Sequence, residues 1–286
     1  MNPAIKALIS LFFIAATLIV ATQLLDHRGE AYTNATLKRA LLTFGVARGL
    51  NGVISVAQGT EIAVQPAGLG LTFTPGQILD PLNDLVERFS WIMLLSSASA
   101  GLQQTLLTIS AWPLFSAFTL VLSLTAAGAV WFPGGRLMLL RAVLVKLALL
   151  TLALRLSVPL IAICSEWIYQ EFLSPQYAEA TAQLQHTTEN ISRINQNMEK
   201  TLPGEQSASL WGVAKQLYSS AAEAVDIDAR LQAYKEAAAD ATEYVVKLIV
   251  VFVFQTIVLP LIFLGGIYGL VKLMLKSKLP FGDPPG

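Results

Sequence analysis

The chain alternates long apolar runs with one long charged stretch, and this alternation restricts its fold more than any other feature. The apolar runs have 19 to 31 residues, and about 20 are enough to cross a hydrocarbon layer of roughly 30 Å as a helix. The charged stretch extends from Glu166 to Lys247 and lies between the last two runs. We therefore predict an all-α polytopic membrane protein of about five transmembrane helices, with spans at 7–25, 91–112, 113–131, 137–164 and 245–275.

The composition indicates a membrane protein and gives no sign of a nucleic-acid, cofactor or metal partner. Residues are 54% hydrophobic and 13% charged, whereas soluble domains carry about 25% charged residues. The 19 basic and 19 acidic residues balance, so no basic excess indicates nucleic acid as a partner. The single cysteine excludes an internal disulfide. With only two histidines beside it, a thiolate or zinc site is improbable. We expect the lipid bilayer as a partner, and neither a cofactor nor a metal.

The charged stretch has the apolar spacing of a coiled coil. Residues three and four apart form a stripe on each of two arms, and Leu202-Pro203-Gly204 interrupts the pattern between them. We predict an antiparallel helical hairpin outside the membrane over residues 166–244. A fold at Pro203 makes the numbers of facing residues add to about 407. The predicted seam contains Leu184, Ile191 and Met198 on the first arm and Leu210, Leu217 and Leu231 on the second.

The remaining segments complete the predicted organisation. Residues 1–25 form an anchor helix or a cleaved signal peptide, and the anchor is favoured because no clear cleavage site precedes Asp26. Residues 26–88 hold an amphipathic helix at 41–57, which either packs at the interface or crosses, and a short β-hairpin near 60–74. A three-helix membrane region is predicted at 89–165, a last span at 245–275 and a flexible tail at 276–286.

One arginine lies inside an apolar run. A charge at that depth costs at least about 2.5–3.5 kcal/mol on insertion scales, so Arg155 needs a polar partner or a water-filled cavity. Pro159 and Pro260 each leave a carbonyl four residues earlier without its helical donor. Folding the hairpin at Pro203 predicts a polar layer that contains Arg155, Gln255, Thr256, Gln103 and Gln104. The alternatives are that Arg155 extends toward the interface, makes one structural hydrogen bond or contacts another subunit.

No catalytic motif accompanies these features. The chain has no P-loop, no Gly-x-Ser-x-Gly elbow and no His-Glu-x-x-His, so we do not expect an enzyme.

The leading hypothesis is a scaffold, assembly or sensory component whose hairpin meets another membrane or envelope protein or a copy of itself. The alternative is a transporter or channel subunit that uses the Arg155 layer. Gly265 and Gly269 have the spacing of a close helix contact in lipid.

Basic residues at the ends of the runs predict an orientation in the cell inner membrane. The positive-inside rule puts the segment 26–90, the Pro133 loop and the C-terminus in the cytoplasm and the hairpin outside. With five spans, this assignment also puts the N-terminus outside, which does not suit the lysine at position 6. The side of the N-terminus and the oligomeric state therefore stay open.

Overall fold

The computed structural model describes residues 2–59, 62–64, 71–73, 75–132, 138–200 and 210–276. This part of the chain is almost entirely helical. A 3₁₀ turn at Pro75–Leu79 precedes α3, and π-helical turns at Tyr169–Leu173 and Phe254–Val258 precede α6 and α8. The α-helices are α1 (Pro3–Thr22), α2 (Leu24–Gly59), α3 (Asp80–Ser110), α4 (Pro113–Ala129), α5 (Met138–Ile168), α6 (Ser174–Lys200), α7 (Leu210–Val253) and α8 (Leu259–Lys276).

Five helical segments of the described residues are long and apolar enough to cross a membrane. The predicted number agrees, but the set differs in two places. α2 qualifies, although Arg48 made a span there the weaker alternative, and α4 has only 17 residues, or about 26 Å of helix. The qualifying segments are Pro3–Thr22, Leu24–Gly59, Gly76–Ser110, Leu140–Gln196 and Leu231–Met274.

The start of the chain forms two helices with a one-residue break. Asn2 caps α1 by accepting a hydrogen bond from the backbone N–H of Ala4, and Pro3 occupies the first helical position. Gln23 has a positive φ of 53°, the left-handed conformation that ends α1. α2 begins immediately at Leu24 and includes both the polar residues 26–39 and the predicted amphipathic stripe. The amphipathic helix therefore starts well before residue 41.

The chain divides into two compact units. Unit 1 comprises Met1–Lys38, Ser96–Glu171 and Phe254–Gly286, and unit 2 comprises Arg39–Leu95 and Phe172–Val253.

In unit 1, α1 and α4 pack antiparallel and α5 packs on α4. The Ser10 hydroxyl donates to the Ala127 carbonyl at 2.9 Å, and the Trp131 indole N–H donates to Ser10 at 2.8 Å. Both contacts join the first half of α1 to the end of α4, so α1 begins near the end of α4. The apolar core contains Phe13, Ala16 and Val20 of α1, Leu122, Ala126 and Val130 of α4, and Val145, Ala148 and Leu152 of α5.

In unit 2, four helices share one core. The stripe of α2 is buried together with the first half of α3, and both pack with α6 and α7. The buried side chains include Leu50 and Ile54 of α2, Val86 and Phe89 of α3, Leu184 and Ile191 of α6, and Tyr234 and Leu248 of α7. The stripe predicted as a two-helix seam is therefore part of a four-helix core.

The register of α6 against α7 differs from the predicted one. The numbers of facing residues add to 426 for Glu179 and Lys247, and to 429 for the aromatic pair Tyr177 and Phe252. The expected value of about 407 assumed arms that meet at Pro203, which lies outside the described residues. Because α2 and α3 pack against the same two arms, the shared core and not the break in the sequence sets this register.

Two short strands follow α2. Ile62–Val64 and Leu71–Phe73 pair antiparallel, with Ile62 opposite Phe73 and Val64 opposite Leu71. The following 3₁₀ turn brings Gly76 against the end of α2. A Cβ atom at Gly76 would lie 2.0 Å from the Ala57 carbonyl oxygen, so only glycine fits this approach.

Candidate functional site

A buried ion pair occupies the middle of unit 1. Arg155 of α5 is 0% exposed and binds Asp26 of α2 through two hydrogen bonds, Nη1 to Oδ1 at 2.8 Å and Nη2 to Oδ2 at 2.5 Å. Its Nε donates to the Ser116 hydroxyl of α4 at 3.0 Å. The Asp26 side chain is 12% exposed. Charge-assisted bidentate pairs of this kind are among the strongest hydrogen bonds in proteins. The pair therefore joins α2, α4 and α5.

The break between α1 and α2 positions the carboxylate. Because α1 ends at Gln23, Asp26 falls in the first turn of α2, where the helix dipole favours a negative charge. Asp26 is 129 residues from Arg155 and was not predicted as its partner. The available signal was local: Asp26 is the first acid after an apolar run, and a buried guanidinium needs a carboxylate.

Two carbonyls that lose their helical donor to proline are satisfied by α3. The Ser110 hydroxyl donates to the Arg155 carbonyl at 2.7 Å, four residues before Pro159. The Thr256 carbonyl, four residues before Pro260, accepts from the Ser99 hydroxyl at 2.7 Å and from Gln103 Nε2 at 3.1 Å. Both acceptors were anticipated from the prolines, whereas their donors come from tertiary structure. α3 therefore fixes the two proline-containing helices at these levels.

The other amides of the predicted polar layer bind α2. Gln255 is 1% exposed, and its Nε2 donates to the Tyr32 hydroxyl at 3.0 Å and the Thr36 hydroxyl at 3.1 Å. Gln104 Nε2 donates to Asn34 Oδ1 at 2.7 Å.

The structure thus pairs Gln103 with the Thr256 carbonyl and Gln255 with two hydroxyls of α2. The guanidinium of Arg155 binds Asp26 and Ser116 instead of these groups. The expected pairing of Arg155 with residues near 252–256 depended on the register that the helices do not have. Of the two amide atoms of Gln255, Oε1 is buried and has no hydrogen-bond partner within the described part of the chain.

The predicted packing residues divide into three groups. Gly265 and Gly269 lie on an exposed face, where an added Cβ would meet no described atom within 4 Å. No described residue of the chain therefore makes a close contact through them. Leu184 and Ile191 are fully buried and Leu231 is half-buried. The side chains of Met198, Leu210 and Leu217 lie outside the described residues.

The outer face of α6 and α7 carries an open groove of about 380 Å³. Its α6 wall includes Asn190 and the exposed Arg193, and its α7 wall includes the exposed Glu236 and Asp240. Ala233 and Ala237 keep the α7 side shallow.

Metal chemistry has no candidate ligands in the described ranges: no group of three or more histidine, cysteine, aspartate or glutamate side chains is close enough to hold a metal ion. Cys164 is a half-buried free thiol. A comparison of the chain with protein-family models, curated proteins and solved structures finds no match. Function is therefore inferred from the residues alone.

Proposed function

We propose that this chain is a non-catalytic integral membrane scaffold or assembly component, whose helical hairpin α6–α7 meets a partner protein or a second copy. The observation that carries the proposal is the bidentate pair of Arg155 and Asp26. It neutralises a charge at membrane depth inside the molecule and uses it to hold three helices together. Buried ion pairs are retained in some proteins for specificity of packing and not for net stability.

The other polar groups of unit 1 support the same proposal. The hydroxyls of Ser99 and Ser110 satisfy carbonyls on neighbouring helices, and Gln255 joins α8 to α2 through its preceding turn. These side chains are used to join helices. By contrast, the charges on the outer face of the hairpin are exposed, as expected for a surface that meets another protein.

Packing in unit 1 supports an orientation in which both termini are cytoplasmic. α1 begins beside the end of α4, and Arg141 at the start of α5 donates to the Phe132 carbonyl at 3.4 Å. Lys146 and Met274 line one groove, so α8 ends near the start of α5. The basic residues of this end that the structure describes include Lys6, Arg141, Lys146, Lys272 and Lys276, and the sequence has no acidic residue between 113 and 165.

By the positive-inside rule, the end of unit 1 that carries these basic residues lies on the cytoplasmic side of the inner membrane. With both termini on one side, the chain crosses an even number of times. We infer four crossings, by α1, α4, the first part of α5, and α8. This count is one fewer than the five segments that qualify by length and composition, because it includes the short α4 and leaves out α2 and α3. Under this proposal α3 is not a separate crossing before α4, and segment 26–90 leaves the cytoplasmic side that its basic residues predicted.

A transporter or channel subunit is the second candidate. One observation favours it: Gln255 lies within the π-helical turn Phe254–Val258, and its buried Oε1 has no hydrogen-bond partner among the described residues. Such turns are frequent at functional sites. A bound ion or water would satisfy this oxygen. Under this alternative the pair of Arg155 and Asp26 exchanges partners during a transport cycle.

A double variant separates the two candidates. Asp26→Leu combined with Arg155→Met removes both charges together and leaves no buried charge unpaired. A scaffold is expected to keep its assembly with the double variant, measured by co-isolation of differently tagged copies or of a co-expressed partner from native membranes. A charge-dependent transporter keeps its fold but loses flux, which is measured with protons and K⁺ in liposomes. Loss of flux with intact assembly would refute the scaffold proposal.

A further inference from the structure

The groove on the outer face of the hairpin carries charges of opposite sign on its two walls. Arg193 stands on α6, and Glu236 and Asp240 stand one turn apart on α7. All three side chains are exposed. Arg193 Nη2 donates to Asn190 Oδ1 at 2.6 Å. Among ion pairs between described residues, none joins Arg193 to either carboxylate of its own chain.

The two walls stand at matching heights. Tyr234 donates to Asn195 at 2.7 Å, and the numbers of this facing pair add to 429. With facing numbers that add to 426–429, Arg193 is level with residues 233–236 of α7. Glu236 is therefore level with Arg193, and Asp240 lies about 6 Å further along the helix.

The charged groove is self-complementary when two copies of the chain are related by a two-fold axis. A pair of copies can be related by a two-fold axis that runs along α6 and α7. Rotation about such an axis places α6 of one copy opposite α7 of the other at the same height. Arg193 of each copy then faces Glu236 and Asp240 of the other, and every contact occurs twice, as in an isologous dimer.

We propose that this groove is the docking site for a second copy of the chain. The inference rests on the proposed scaffold function and names its partner. The small residues Ala233 and Ala237 let the helices of the two copies approach, and the paired charges select the register. Opposite charges across an interface contribute chiefly to specificity and to the rate of association.

Charge reversal tests the pairing in the purified full-length chain. Arg193→Glu is expected to weaken self-association about tenfold, since the attraction of each Arg193 to the two carboxylates of the other copy becomes repulsion. Adding Glu236→Arg should restore the dissociation constant to within about threefold of the original, because the charges are exchanged. Lys235→Glu, an equal charge change on α7 outside the groove lining, should leave it unchanged. Analytical ultracentrifugation in detergent measures the constants, and a thermal melt checks that each variant is folded.

Disulfide trapping tests the geometry in membranes. One tagged chain carries Asn190→Cys and a differently tagged chain carries Ala237→Cys, both with Cys164→Ser, so only a bond between two chains forms. We expect a two-chain band with both tags after mild oxidation, and no such band for Glu189→Cys paired with Lys235→Cys. If the chain assembles, the charge variants do not change its dissociation constant and no crosslink forms in the groove, the docking site is wrong and the scaffold function still stands. A chain that exists singly and without a protein partner in native membranes would overturn both.

Discussion

Removing one partner of the buried ion pair is expected to destabilise the chain far more than removing both. Arg155 is fully buried with its guanidinium bound at three points, and the Asp26 side chain is 12% exposed. Asp26→Leu alone leaves a buried guanidinium without its counter-charge, and Arg155→Met alone leaves a buried carboxylate. Each single variant should cost about 3–5 kcal/mol, whereas replacing both groups by apolar side chains is often neutral or stabilising.

Unfolding of the purified full-length chain in mixed detergent micelles, titrated with a denaturing detergent, measures these energies. The double variant should lie within about 2 kcal/mol of the original chain, which gives a large coupling energy in a double-mutant cycle. The matched control is the pair of Lys247 and Glu179, which are 3.7 Å apart with side chains 38% and 59% exposed. Its coupling should stay below about 1 kcal/mol. Additive single effects at Asp26 and Arg155 would refute the reasoning, because independent sites carry no pairing energy.

Two further predictions concern buried contacts that a single substitution removes. Ser110→Ala should cost about 1–3 kcal/mol, because the Arg155 carbonyl loses the donor that replaces its missing helical bond. Gly76→Ala should cost at least about 1–3 kcal/mol, because the new Cβ would lie 2.0 Å from the Ala57 carbonyl oxygen and force the backbone apart. The same unfolding titration measures both.

Controls for both substitutions are present in the chain. Ser99→Ala should cost less than Ser110→Ala, since Gln103 still donates to the Thr256 carbonyl; equal costs would argue against the proline-freed carbonyl as the cause. Gly45 has open space around its Cβ position within α2. Gly45→Ala should therefore be neutral or stabilise the chain by up to about 1 kcal/mol. A harmless Gly76→Ala would contradict the close approach.

Features decided by local chemistry were predictable from the sequence. Pro159 and Pro260 each remove a defined hydrogen bond, so the acceptors at Arg155 and Thr256 follow from covalent structure alone. Apolar periodicity likewise placed Leu184 and Ile191 on a buried face. Neither inference depends on which other helix comes close.

The contacts that depend on tertiary packing were not predictable in the same way. The donor Ser110 and the carboxylate of Asp26 lie 45 and 129 residues from Arg155, and no periodicity links such distant positions. The predicted polar layer depended on a register measured from Pro203. Two helices can slide by several turns while keeping their apolar faces together, and here the core shared with α2 and α3 selects the register.

The central claim is that Asp26 and Arg155 serve helix packing, in which two apolar side chains can replace them together, and that the chain joins other proteins. Its most direct test is the mass of particles extracted from native membranes in polymer-bounded lipid discs. The unmodified chain is measured beside the double variant Asp26→Leu with Arg155→Met. We predict more than one protein chain per particle, at the same mass for both. Particles that hold a single chain, or a double variant that is folded but no longer assembled, would contradict the account.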